Sequence, residues 1–168
     1  MEPDQLTQIF HSLNKAEVRY LVVGGLAVMA HGYLRMTRDL DLFLSLEEEN
    51  TAKAVQVLET LGYQPNVPVA FADFLDESVR KRWVREKNMQ VFPLVSEKFP
   101  FCPIDLFVDP PMDFTKAFER RKDYGLGTDT TLPVVGLKDL LALKRAAGRP
   151  RDLLDIEELV RHKDSGEG

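Results

Sequence analysis

Two aspartates, Asp39 and Asp41, stand two residues apart in the alternating run DLDLFLSL. An extended backbone sends residues i and i+2 to one face. Both carboxylates therefore share a face, and Leu40, Leu42 and Leu44 share the other, buried one. Side-by-side carboxylates repel and call for a cation, and oxygen donors at this spacing suit Mg²⁺. A third carboxylate, Asp105, interrupts the apolar run CPIDLFV, which puts it at a sheet edge or in a site. Three carboxylates on neighbouring strands are able to hold two divalent ions about 3.5–4 Å apart, the arrangement used for in-line phosphoryl transfer. Gly24 and Gly25 follow the apolar run Tyr20–Val23 and precede a short helical segment. Bare backbone at a strand-to-helix turn lets amides approach phosphate oxygens, and the helix start favours an anion. Each feature alone has a plainer reading: a turn, a solvated edge, a carboxylate paired with an arginine. Together they describe one site, with amides on phosphates and carboxylates on the metals that bridge them.

Positioning these groups requires a small sheet with helices on it. Residues 3–16 read as an amphipathic helix through Leu6, Ile9, Phe10 and Leu13. Strands are expected at Tyr20–Val23 and Asp39–Leu46, with a short helix over 26–31 that stops at Gly32. Ser45 and Glu48 resemble a capping box for a helix over 47–61, which Gly62 terminates. Residues 63–73 contain prolines and are ambiguous, and 74–87 read as helix. Met89–Val95 and Cys102–Val108 read as two strands of a hairpin, followed by a short helix near 113–121. GLGTDTTLPVVG reads as a turn and one short strand. Lys138–Ala147 is a helix closed by Gly148, and Pro150 opens a last helix to about Arg161. The order describes a mixed α/β (α+β) domain: a small mixed sheet with packed helices and a C-terminal helical pair. Residues 1–162 are expected to form one domain, with a core over about 17–110, helices over about 137–162, and a flexible tail over 163–168.

Composition narrows the class. A chain of 168 residues suits one domain with a core that needs no disulfide or structural metal. The single cysteine, Cys102, excludes a disulfide framework and reads as a small core residue. With 22 Lys and Arg against 27 Asp and Glu, the net charge of −5 disfavours general nucleic-acid binding, which rests on neutralising phosphates. No apolar run approaches the roughly 20 residues of a membrane helix. MEPDQLTQIF lacks a signal-peptide layout, so a cytoplasmic location and no membrane partner are expected.

The run VVGGLAVMAHGYLRMTRDLDLFL resembles the signature of the DNA polymerase β-type nucleotidyltransferases. It is most similar to the minimal AbiEii-like branch of abortive-infection toxins, through Gly24, Gly25, Arg35, Thr37, Asp39 and Asp41. The C-terminal LPVVGLKDLLALKRAAGRPRDLLDIEEL resembles the same branch through Lys144, Arg149, Asp152 and Asp155. The resemblance implies a nucleotidyltransferase fold that moves a nucleoside monophosphate from an NTP to an acceptor hydroxyl, with Mg²⁺ or Mn²⁺. It implies that Gly24 and Gly25 hold the triphosphate, that Asp39 and Asp41 ligate both metals, and that Asp105 ligates the one that activates the acceptor. Lys144 would reach the triphosphate, or else be an exposed surface lysine. Arg35 and Arg38 would neutralise phosphates, or else pair with neighbouring carboxylates. Thr37 and Arg149 belong to the matched motifs as supporting residues. Asp152 and Asp155 read as structural partners of Lys144 or Arg149 near a helix start. His31 reads as a packed histidine with a supporting role at most. The run RKRWVREK offers either an acceptor surface with Trp83 stacking on a base, or a solvated face with Trp83 turned inward; charge runs favour the second.

The acceptor implied by the resemblance is a tRNA end or a protein hydroxyl, and the partner an antitoxin. The alternative is a catalytically inactive binding module of the same fold that acts through a protein partner.

Overall fold

A computed structural model describes residues 3–166. Its elements run α1 (Pro3–Lys15), β1 (Tyr20–Val23), α2 (Gly24–Ala30), β2 (Leu40–Leu44), α3 (Glu48–Thr60), β3 (Tyr63–Pro65), a 3-10 turn (Phe71–Leu75) and α4 (Glu77–Lys87). β4 (Val91–Ser96), β5 (Ile104–Phe107), α5 (Phe114–Glu119), β6 (Lys122–Leu126), β7 (Thr130–Val134), α6 (Leu137–Ala147) and α7 (Pro150–Ser165) complete the chain. The seven strands form one mixed sheet in the order β3-β4-β5-β2-β1-β7-β6.

The centre of the sheet follows from hydrophobic patterning. All four residues of β1 are buried, as a central strand covered on both faces requires. In β2 the alternation holds on one face, with Leu40, Leu42 and Leu44 buried. The other face changes character along its length: Asp41 is only half-buried, while Phe43 is buried under the ring of Phe114 at 5.2 Å. Carboxylates therefore occupy one end of that face and aromatic packing the other.

Several expectations shift for local reasons. β6 is absent from the sequence reading because KDYGL is polar and mostly exposed; it is an edge strand held by pairing to β7. The sheet consequently continues well past residue 110. β3 resolves part of the ambiguous 63–73 stretch by pairing with β4. α2 starts two residues earlier than expected, at Gly24 itself. The Ser45–Glu48 capping box does not form. Ser45 is buried, its amide donates to the Arg19 carbonyl, and Glu47 takes the N-cap position without a side-chain cap. Asn50 fastens this corner instead, accepting from the Arg19 amide and donating to the Arg19 and Ser45 carbonyls. α4 begins at Glu77, where the Asp76 carboxylate accepts from the Ser78 and Val79 amides. α7 runs through Ser165, so residues 163–165 of the expected tail are helical; Glu167 and Gly168 lie outside the described residues. No helix among the described residues is long and apolar enough to cross a membrane.

Candidate active site

Three chain segments converge on the Asp end of β2. β5 runs parallel to β2 and sets Asp105 directly beside Asp41, while β1 runs antiparallel and sets Val23 opposite Asp41. Asp41 and Asp105 thus project from adjacent strands on one face, with Asp39 two residues before Asp41. Gly24 comes next after Val23 and sits against the Asp41 carboxylate. A Cβ at Gly24 would stand 2.0 Å from Asp41 Oδ2, and its φ of +62° lies in the left-handed region. Gly25 is equally constrained, because a Cβ there would stand 2.3 Å from Thr37 Oγ1 and 3.2 Å from an Arg35 terminal nitrogen. The double glycine lets the β2 carboxylate and the 35–37 loop close onto the start of α2.

A cleft of about 350 Å³ opens over this junction. Its lining includes Gly24, Gly25, Arg35, Thr37, Arg38, Asp39, Asp41, Asp105, Lys144, Arg149 and Asp152. Among the motif and supporting residues singled out from the sequence, His31 and Asp155 do not line it. The His31 Nε2 donates to the Val135 carbonyl at 2.7 Å, and Tyr124 approaches Nδ1 at 3.4 Å. Burial lowers the His31 pKa against the pull of that carbonyl, which leaves a neutral, packed imidazole.

The carboxylates strain against one another. Burial, then the charges of Asp105 and Asp39, push the Asp41 carboxyl up from 3.8 to about 6, with Lys144 and the Gly25 amide working the other way. Burial and Asp39 likewise raise Asp105. Among the described residues no three His, Cys, Asp or Glu side chains form a ready-made metal cage. The donor set still fits a hard divalent cation: it is all oxygen, partly desolvated and in charge conflict, which a cation would relieve.

Lys144 is buried rather than exposed. Its Nζ lies 3.1 Å from Asp152 Oδ1 and 2.8 Å from Asp155 Oδ2. Asp155 also holds Arg35, whose terminal nitrogen donates at 2.8 Å; the Arg35 Nε stands 2.7 Å from the other carboxylate oxygen without hydrogen-bond alignment. Asp152 in turn accepts from the Arg149 amide at 3.2 Å and from its Nε at 2.7 Å. Burial opposes ionisation of Asp152, but the hydrogen bonds from Arg149 and Lys144 outweigh it and hold its carboxyl below the usual range. Five charges thus knot the 35–37 loop, α6 and the start of α7 behind the cleft. The structural reading of Asp152 and Asp155 describes what they do here.

Comparison with known proteins points the same way. The aminoglycoside-2''-adenylyltransferase family model matches residues 5–82, which include the double glycine, Asp39 and Asp41 but not Asp105 or Lys144. No curated protein matches the chain. Among solved structures, the lincosamide antibiotic adenylyltransferase LnuA with lincomycin bound superposes with a TM-score of 0.61 at 18% identity, over 95% of this chain and 96% of that one. A Thermotoga maritima protein described as a nucleotidyltransferase superposes with a TM-score of 0.55 at 13% identity, over 95% of this chain and 92% of that one.

The fold is the nucleotidyltransferase fold.

Within this nucleotidyltransferase fold the cleft gains one charged residue that sequence reasoning passed over. Arg151 lines it and donates to the Met36 carbonyl, tying α7 to the loop before β2. The signal was present in the basic run GRPRD at the start of α7. Phe107, Leu140 and Leu143 add an apolar wall that only the folded chain brings together. Trp83 is not at the cleft; it is 3% exposed and stacks on Phe92 at 5.3 Å, as the plainer reading of RKRWVREK had it.

Proposed function

We propose that this chain is a metal-dependent nucleotidyltransferase that moves a nucleoside monophosphate from an NTP to an acceptor hydroxyl. The observation that carries the reading is the placement of Asp41 and Asp105 side by side, with Asp39 adjacent and a bare Gly24–Gly25 turn against them. Such a site has little covalent work to do; positioning and charge neutralisation account for most of the catalysis.

In this reading the acceptor oxygen attacks the α-phosphorus, the bond from that phosphorus to the β-phosphate oxygen breaks, and pyrophosphate leaves. Asp39, Asp41 and Asp105 hold Mg²⁺ or Mn²⁺, which when bound neutralises the phosphates and lowers the acceptor pKa. Asp105, on the strand beside Asp41, is the carboxylate we assign to take the acceptor's proton. The bare backbone at Gly24 and the first turn of α2 would let amides approach the phosphates, while the Gly25 amide holds Asp41 and Thr37 and Arg35 keep that turn closed.

A small-molecule hydroxyl is the acceptor we favour. The chain superposes over 95% of its length on an antibiotic adenylyltransferase with lincomycin bound, which supports a small-molecule acceptor. The AbiEii-like motif at Lys144, Arg149, Asp152 and Asp155 favours a second reading, a toxin that modifies a tRNA end or a protein and pairs with an antitoxin. One assay separates them. Protein, Mg²⁺ and each α-labelled NTP are incubated with aminoglycosides and lincosamides, with total tRNA, or with neither. Label on a small molecule supports the first reading and label on RNA or protein the second. No pyrophosphate release under any condition would refute the enzyme and leave the inactive module.

A further inference from the structure

The cleft is lined by five cations, Arg35, Arg38, Lys144, Arg149 and Arg151, and they fall into two groups. Arg35, Lys144 and Arg149 are committed to Asp155 and Asp152 at 2.7–3.1 Å. Both of those aspartates are buried, with Asp155 0% and Asp152 1% exposed. Each of these aspartates shares two cations, so withdrawing one would leave a buried carboxylate with half of its compensating charge. Arg38 and Arg151 are different. Neither has a carboxylate within ion-pair distance among the described residues, and both are exposed at the cleft.

Arg151 is also well placed. It is in the first turn of α7, a 16-residue helix whose positive end faces the cleft. One terminal nitrogen is spent on the Met36 carbonyl. The rest of the guanidinium fork remains for a ligand, in the planar geometry that matches phosphate oxygens. Met36 lies two residues before Arg38, so this tie joins α7 to the segment that carries Arg38, and both arginines line the cleft that holds Asp39, Asp41 and Asp105.

We propose that Arg151, together with Arg38, grips the triphosphate of the nucleotide, while Lys144 and Arg35 serve as internal posts that hold the loop and helices in place. This rests on the nucleotidyl-transfer reading; it keeps Arg38, which the sequence pattern also offers to phosphate, and puts Arg151 in place of Lys144 and Arg35.

The test is calorimetry with Mg²⁺ and three probes: tripolyphosphate, the four NTPs and the corresponding NMPs. The proteins are wild type, Arg38→Gln, Arg151→Gln, Arg151→Lys, and Arg145→Gln as an exposed control on α6 outside the cleft. Each glutamine variant should weaken tripolyphosphate and NTP binding about tenfold, the value of one charge-assisted contact. NMP binding should change less than twofold, and Arg145→Gln should change neither. Arg151→Lys should recover only part of the loss, since a point charge lacks the fork. If wild type binds NTPs and both glutamine variants bind them equally well, the phosphate assignment is wrong and the enzyme reading stands. If wild type binds no NTP, both are overturned.

Discussion

Replacing Asp41 by asparagine should stabilise this protein, and the gain should depend on pH in a defined way. In the folded state the Asp41 carboxyl lies at about 6, against 3.8 for the same group in water. At about 1.4 kcal/mol per pH unit, that gap sets a ceiling on the order of 3 kcal/mol by which ionised Asp41 opposes folding. The sign follows from proton counting. Between pH 3.8 and about 6 the folded chain binds the proton that the unfolded chain has released, so stability rises as pH falls through that window. Asparagine removes the charge, and its carbonyl oxygen still suits the Gly25 amide. Thermal unfolding of wild type and Asp41→Asn from pH 3.5 to 7.5 measures the difference. At pH 7.5 the variant should melt higher by up to roughly 6–12 °C, at about 2–4 °C per kcal/mol for a chain of this size. The gain should shrink below pH 6 and vanish near pH 3.5. Mg²⁺ should narrow the gap, because it stabilises only the form that binds it, by about 1.4 kcal/mol at ten times its Kd, and should reverse the order only above roughly 150 times its Kd. A variant that melts lower at pH 7.5 in chelator, or a difference that ignores pH, would refute the charge conflict from which the metal site is argued.

Other outcomes follow from the same contacts. Asp155→Ala should cost about 3–5 kcal/mol in urea unfolding, because it leaves Arg35 and Lys144 buried without their shared carboxylate. Gly25→Ala should raise the NTP KM, since its Cβ would displace Thr37 from the turn; an unchanged KM would mean the turn does not face phosphate. Trp83→Ala should lower stability by about 3–5 kcal/mol while leaving nucleotide affinity at a permissive temperature within twofold. A large affinity loss there would restore Trp83 as a ligand contact.

The legible parts of the site were those fixed by local geometry. Asp39 and Asp41 share a face because strands alternate, and the double glycine marks a turn because few other residues adopt it. Asp105 was readable as a polar interruption of a buried strand, although its register beside Asp41 depends on a parallel pairing across more than sixty residues of chain. What stayed hidden was set by tertiary contacts. Lys144 reads as a surface lysine on an amphipathic helix until α7 packs on α6 and brings two aspartates to it. Arg151 gains meaning only when its helix meets the loop at Met36. β6 carries no hydrophobic alternation and is a strand only because β7 pairs with it. Ser45 does not cap α3, because the chain there is fastened by Asn50 to the Arg19 and Ser45 backbone, a contact across 31 residues that the local pattern does not show.

The most direct test of the central claim is a calorimetric titration of each NTP into wild type and the Asp39→Asn/Asp105→Asn double variant, with Mg²⁺ and with chelator. The account predicts binding of at least one NTP that needs Mg²⁺ in wild type and is lost in the variant while its fold is retained. Equal binding by the two proteins, or binding indifferent to Mg²⁺, would contradict a carboxylate-held metal site and with it the proposed transfer chemistry.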